Sequence, residues 1–448
     1  MATRPAAALL AIGDELVLGE KLDTNSQWLA DQLGLAGLRV IDHQTVPDDR
    51  DVIASTMVGM LEHAQVLIVG GGLGPTKDDL TREGLSDALA RLTEEAQPLI
   101  EDASALRDIE AIFEKMGRAM IESNRNQAMR PRGASAIANE HGTAPGLLAQ
   151  IEREGTPHVL ACLPGPPREM RPMFEGALAP ILQALPGVEA AELRVSQVFG
   201  LGESELATRI SELMHRDNNP AVGTTASSGM VTCRVRFEPT KPVQGPYESD
   251  APATAAEEAL SAIEAVASGY VVSQRYESLA ATLLREAQVE GLSIATAESC
   301  TGGLIGQLIT AEAGSSATYA GGWVTYSNRM KTQELGVPES QIQAHGAVSP
   351  EVAIAMASGA RERSGADIAL SVTGVAGPGG GTSEKPVGTV WIGVASPGVP
   401  ASARGFRFMG DRASVRLWSA NTALFIGLLA VRARLDLRLL REVSAVSR

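Results

Sequence analysis

Two short, unbroken apolar runs constrain this chain most. "LLAIG" (9–13) and "VLIVG" (66–70) lack the alternation of a half-exposed strand, and each ends in glycine. Such runs read as parallel strands buried on both faces. The stretch between them alternates in kind. A helix is expected over 23–37, started by Asp23 and Thr24 and stopped at Gly37. A strand follows over 39–46 and a helix over 49–64, and beyond the second run a helix over 78–93. Strands separated by helices of this length form βαβ units and a parallel sheet. A further strand runs into a loop and helix over 158–170.

The pattern changes around 188–273, which reads as strand–helix, hairpin, helix, with a Pro-rich acidic loop at 238–253. From 276 a third unit begins. Helices are expected over 277–291, from 300 to 310 and over 349–365, and strands over 292–298, 318–327, 366–377 and 388–396. A chain of 448 residues exceeds one ordinary core. The expectation is therefore a multidomain α/β protein: a parallel-sheet domain (1–187), a small α+β linking domain (188–273) and a second α/β domain (274–448). An aromatic content of only 4% suits layers in which small residues pack helices on sheet.

Formal net charge is −15, so most of the surface repels nucleic acid and anionic membranes. Small-molecule partners are expected instead. Cys162, Cys233 and Cys300 have neither metal-site nor redox spacing, which points to a reducing cytoplasm. The opening residues read as a strand rather than a signal peptide. No uninterrupted run of about 20 apolar residues exists to span a membrane. The apolar stretch 417–440 carries Asn421 and ends in charges, so it reads as a buried helix.

Chemistry concentrates in two places. "GGGLGPTKDDLT" (70–81) takes a buried strand into glycines and then a helix. Backbone N–H groups at such a turn, with the helix dipole behind them, suit a phosphate. Asp78 and Asp79 at the helix start suit a divalent metal bridging phosphates, although on composition alone helix capping is the leading explanation. A second polar loop, "GDELVLGEKLDTN" (13–25), belongs at the same carboxyl edge of the sheet, where ligands bind. It brings Glu15, Asp23 and Asn25 toward Asp78 and Asp79. Residues 139–147 add Asn139, Gly142 and Thr143.

These stretches, with "HGTAPG" and "LPGPPREM", resemble the amino-terminal domain of the competence/damage-inducible protein (CinA) family, which is similar to the molybdopterin-binding fold. The resemblance implies a metal-dependent ADP-ribose pyrophosphatase. By position, Asp78, Asp79, Glu15 and Asp23 are then the metal candidates. Gly71, Gly72, Gly74, Thr76 and Asn25 are the substrate contacts. With no cluster of His ligands, a Mg-type or Co-type ion remains open.

The second place is "ATAESCTGG" (295–303), a strand entering a helix, with Ser299, Cys300 and Thr301 in succession. Taken alone, Ser299 reads first as a helix cap; the other reading is a nucleophile beside N–H donors of Thr301, Gly302 and Gly303. A serine needs a base, and "GGWVTYSNRMK" (321–331) supplies Tyr326, Asn328 and Lys331. A buried lysine of lowered pKa deprotonates serine directly or through a tyrosine hydroxyl, whereas most lysines are solvated. The glycine loop 373–388 carries Thr373, Gly377, Gly379 and Lys385, and Arg412 and Arg416 lie one turn apart. Together these four stretches resemble the carboxyl-terminal CinA domain. The resemblance implies a nicotinamide mononucleotide deamidase needing no cofactor. Ser299 is the nucleophile, Tyr326 and Lys331 are the activating pair, and Arg412 is preferred over Arg416. Thr301, Gly302, Gly303, Asn328, Thr373, Gly377, Gly379 and Lys385 then contact substrate.

The family resemblance therefore implies a bifunctional hydrolase of NAD breakdown products, acting on nicotinamide mononucleotide and ADP-ribose, with a homodimer as the expected assembly. The alternatives are a regulatory or binding protein tied to competence or DNA damage, and pterin binding by the amino-terminal domain.

Overall fold

The computed structural model describes residues 4–447, which form two compact units. One comprises the residues up to Glu192 with Glu238–Thr240; the other comprises Leu193–Phe237 with the remainder.

The first unit is a six-stranded sheet between helices. Strand β1 (Ala6–Ile12) pairs in parallel with β2 (Arg39–Val46) and β3 (Val66–Gly70). The hairpin strands β5 (Gly146–Arg153) and β6 (Thr156–Leu163) and the short β4 (Ser135–Ile137) complete it in the order β2-β1-β3-β6-β5-β4. Only the β6-β5-β4 part is antiparallel. Alternate residues of β1 enter opposite cores: Ala8, Leu10 and Ile12 on one face, Ala7 and Leu9 on the other. That two-sided burial explains the unbroken apolar run. Helices α1 (Thr24–Leu35), α2 (Arg50–Met60) and α3 (Thr81–Thr93) connect the parallel strands.

Asp23 caps α1, accepting the Ser26 N–H at 2.9 Å. Asp78 and Asp79 do not start α3, which begins at Thr81 behind Leu80 with no side-chain cap. They belong to the loop before it.

The second unit, from Leu193 on, contains a sheet of β7 (Glu192–Phe199), β8 (Ala221–Ser227), β9 (Met230–Phe237) and β10 (Val271–Ser273), ordered β8-β9-β7-β10. Its core includes Val198, Val235 and Ile263. Phe199, the last residue of β7, belongs instead to the large core that follows, where its ring lies 5.3 Å from Phe425. This α+β segment and the C-terminal α/β segment therefore pack as one unit.

The C-terminal sheet runs β12-β11-β13-β14-β15-β16, from β11 (Ile294–Glu298), β12 (Tyr319–Val324), β13 (Ile368–Gly374), β14 (Thr389–Ala395), β15 (Ser402–Arg407) and β16 (Glu442–Ser447). The β12-β11-β13 part is parallel and the rest antiparallel. Strands β15 and β16 fall where no strand is legible in the sequence. Arg404 in β15 looks like a loop residue, but its guanidinium is buried against Glu442 of β16. A buried charge is tolerated only with such a partner, and this one lies 38 residues away.

The helices of this segment include α4 (Leu304–Thr310), α5 (Asn328–Leu335), α6 (Pro350–Ser364) and α7 (Arg412–Val431). Helix α7 is the one helix among the described residues long and apolar enough to cross a membrane. Here Ala420, Ala423, Leu424, Phe425 and Leu428 are buried in the core, as expected from the sequence, but the helix stops at Val431 and residues 432–440, where the charges begin, are turns and loop.

Candidate active sites

In the first unit the β-strand ends open into a cleft of about 680 Å³. Gly71, Gly72, Gly74, Asp78, Asp79, Glu15, Asp23 and Asn25 all line it. The loop after β3 is held from within. Asp79 accepts N–H bonds from Gly74 (2.7 Å) and Thr76 (2.8 Å) and the Thr76 hydroxyl. Beneath it, the buried Arg82 guanidinium donates to the carbonyls of Leu73 and Gly74. Burial lowers the Arg82 pKa, with neighbouring carboxylates opposing that shift. Gly72 has a φ of +64°, and a Cβ there would lie 2.2 Å from the Thr81 hydroxyl, so only glycine fits.

This geometry reassigns several expected contacts. The Gly74 N–H is taken by Asp79, and the Gly71 N–H by the Leu163 carbonyl at 3.0 Å. Thr76 turns to Asp79 and does not line the cleft. The N–H groups of Gly72 and Leu73 have no protein acceptor among the described residues. The Asn25 amide donates to the Gly165 carbonyl at 2.6 Å, tying α1 to the 164–167 loop.

The four expected metal ligands do not converge. Asp23 caps a helix, Asp79 braces its loop, and Glu15 pairs with Lys21 at 3.4 Å. Among the described residues no group of three or more His, Cys, Asp or Glu forms a metal cage. The donors are nonetheless all oxygen. They fit a hard cation that takes one or two carboxylates and completes its shell with substrate phosphates and water. Asp48, unnoticed in the sequence, belongs with this set. Burial first, then the charges of Asp14, Glu15 and Asp78, raise its pKa above the ordinary carboxylate value. Its backbone N–H is bonded to Asp14, and its carboxylate accepts the Asp14 N–H at 3.0 Å.

In the second unit, Ser299 follows the buried central strand β11. The Lys331 ammonium nitrogen lies 2.9 Å from Ser299 Oγ and 2.8 Å from the Thr325 carbonyl. Lys331 is only 1% exposed. Burial pushes its pKa from the usual 10.5 down to about 8. The contact is direct and uses no tyrosine relay. Tyr326 is 61% exposed, and its hydroxyl accepts from Arg412 at 3.0 Å.

The turn after Ser299 is not yet helix. Gly302 and Gly303 take φ of +63° and +93°, and α4 starts only at Leu304. Glu298, 2% exposed, accepts N–H bonds from Gly303 (3.0 Å), Ile305 (3.0 Å) and Gly306 (2.8 Å). The Gly302 N–H closes the turn onto the Ser299 carbonyl at 3.0 Å. Gly302 and Gly303 are therefore not oxyanion donors. Of this turn, the N–H groups of Cys300 and Thr301 have no protein acceptor among the described residues. Arg416 holds the turn from the other side, donating twice to the Thr301 carbonyl at 3.2 and 2.7 Å. The Cys300 thiol is buried, which pushes its pKa up to about 12 and leaves it a poor nucleophile.

Arg412 bridges Tyr326 and the Gly377 carbonyl (2.8 Å), fastening the glycine loop beside the tyrosine. Gly379 and Asn328 are exposed nearby in sequence to these anchors. Thr373 is buried, and its hydroxyl donates to the Ala347 carbonyl at 2.7 Å, so it is not free for a phosphate. The Lys385 ammonium is directed to the His345 carbonyl at 2.8 Å and lines a different concavity.

Residues 8–184 match a "probable molybdopterin binding domain", 193–245 the damage-inducible protein CinA KH domain, and 276–429 the CinA C-terminal domain. A putative competence-damage inducible protein of Symbiobacterium thermophilum is 40% identical over 93% of this chain and 97% of its own length. The chain belongs to the CinA family. A CinA-like protein of Akkermansia muciniphila is 38% identical over 95% of this chain and 97% of its own. Among solved structures, a competence/damage inducible protein from Agrobacterium tumefaciens is 42% identical, covering 34% of this chain and 93% of that one with a TM-score of 0.34. Ser299, Lys331, Arg412 and Arg416 all fall within the CinA C-terminal match, and the 680 Å³ cleft lies within the molybdopterin-binding match.

Proposed function

We propose that this CinA-family protein is a two-site hydrolase of pyridine-nucleotide breakdown products acting in the cytoplasm. Its second unit deamidates nicotinamide mononucleotide. Its first unit splits ADP-ribose into AMP and ribose 5-phosphate. The observation that carries the reading is the buried Lys331 at 2.9 Å from Ser299 Oγ. A lysine held partly neutral near physiological pH is a base for a serine nucleophile.

Neutral Lys331 takes the hydroxyl proton as Ser299 Oγ bonds to the carboxamide carbon. The oxyanion faces the N–H groups of Cys300 and Thr301. The Lys331 ammonium then returns the proton to the departing ammonia, leaving an acyl-serine. Water adds to that ester with Lys331 again as base, and the acid leaves as Ser299 recovers its proton. Arg412 and Tyr326, joined by a hydrogen bond, suit the substrate phosphate.

In the first unit, Asp48 and Asp78 would hold a divalent cation, which when bound neutralises phosphoryl charge. The N–H groups of Gly72 and Leu73 cradle the pyrophosphate, and Asp79 and Arg82 keep their loop in shape. Ser299→Ala tests the first activity. Ammonia release should fall by about 10³ or more, with an unchanged melting profile. Undiminished release would refute the serine assignment.

A further inference from the structure

The C-terminal segment contains a second concavity, of about 450 Å³, whose lining excludes Ser299. It exists because α6 covers only part of its sheet face. Ala353 and Ile354 of α6 pack with Trp391, Ala401 and Ala403, but the helix begins at Pro350. The cross-strand pairs Thr389–Arg407 and Trp391–Gly405, on β14 and β15, border the space at its start. Gly405 lets the indole lie against the sheet: a Cβ there would approach the Trp391 ring to 3.0 Å.

We propose that this concavity is a second ligand site, shaped for a nucleoside monophosphate and separate from the serine site. Its volume lies within the range of small-molecule sites. Trp391 offers a stacking surface for a planar base. Lys385 and Arg407 bring two cations together on a chain of net charge −15. One Arg407 nitrogen donates to the Thr389 hydroxyl at 2.9 Å and one Lys385 proton to the His345 carbonyl at 2.8 Å. A guanidinium has five donors and an ammonium three, so both retain capacity for a phosphate. Glu351 and Glu384 also line it, with Ser349 and with His345, whose Nδ1 lies 3.7 Å from the Glu351 carboxylate. Carboxylates accept ribose hydroxyls, and they also weigh against the more highly charged di- and triphosphates. None of these residues enters the mechanism at Ser299.

The probe is AMP, titrated into the full-length protein while tryptophan fluorescence is followed. Saturable quenching is expected in the unmodified chain. It should disappear in Trp391→Phe and shift to at least about tenfold higher AMP in Arg407→Ala, the scale of one charge-assisted hydrogen bond. AMP also suits the cleft of the first unit, so only signal sensitive to these two substitutions counts. Without AMP, both variants should release ammonia from nicotinamide mononucleotide at the unmodified rate. If Trp391→Phe folds poorly, the Arg407→Ala shift alone decides. The proposal is overturned by absence of saturable quenching up to about 5 mM AMP, where a ~1 mM site would be mostly filled. It is equally overturned by quenching that Arg407→Ala leaves unchanged.

Discussion

Lys331 shows how a single side chain gains its chemistry from where the fold puts it. Its ammonium has two hydrogen bonds and almost no solvent, and burial holds its pKa at about 8. Only the neutral form accepts the Ser299 proton. The deamidation rate should therefore rise with pH and level off above about 8, while Lys331→Arg, which stays protonated, should be inactive. A flat profile from pH 6 to 9 would remove Lys331 as the base. The same shift bears on stability. The folded pKa lies below the unfolded 10.5, so between pH 8 and 10.5 the unfolded chain binds more protons. Stability should increase across that window. Lys331→Met should lack this increment in denaturant titrations at pH 8 and 10.

At the scale of elements, two loops do the positioning. The 299–303 turn is clamped by the Glu298 carboxylate on one side and Arg416 on the other. Glu298→Gln removes the charge and turns one acceptor oxygen into a donor. Each buried N–H left unpaired costs about 1–3 kcal/mol, so a drop in melting temperature should accompany roughly a tenfold fall in kcat. An unchanged melting temperature and kcat would show that the clamp is dispensable. The loop after β3 is braced in the same manner by Asp79 and Arg82. Asp79→Ala removes three hydrogen bonds and Thr76→Val only one side-chain bond. AMP release from ADP-ribose should fall much further in the first variant than in the second. Equal rates in both would separate the loop's shape from the chemistry.

For the whole molecule, the two compact units each contain all the residues assigned to their own site. Ser299→Ala should abolish ammonia release and leave AMP release intact. Asp78→Ala should do the reverse, by about tenfold or more if Asp78 holds the cation. Loss of both activities in either variant would mean that the sites depend on each other.

The parallel strands and their loops were legible because burial on both faces and glycine at a positive φ leave local marks. The runs 9–13 and 66–70 needed no partner to be recognised, and Ser299 and Lys331 stood out once their motifs were read together. Other features had no local mark. Arg404 in β15 is explained only by Glu442, and Asp48 gains its raised pKa from burial first and then from the charges of Asp14, Glu15 and Asp78. Glu298 reads as an ordinary strand-end carboxylate until the turn brings three N–H groups to it. The sequence by itself determined the α/β class and most strand-to-loop positions, because these follow from periodicity and backbone constraints within a few residues, whereas the candidate residues came from motifs read together with their resemblance to the CinA family. The tertiary structure alone decided that Lys331, and not Tyr326, meets Ser299, and that Thr373, Lys385 and Gly74 are engaged elsewhere. Hydrogen-bond partners and desolvation arise between segments distant in the chain, and no local pattern encodes them.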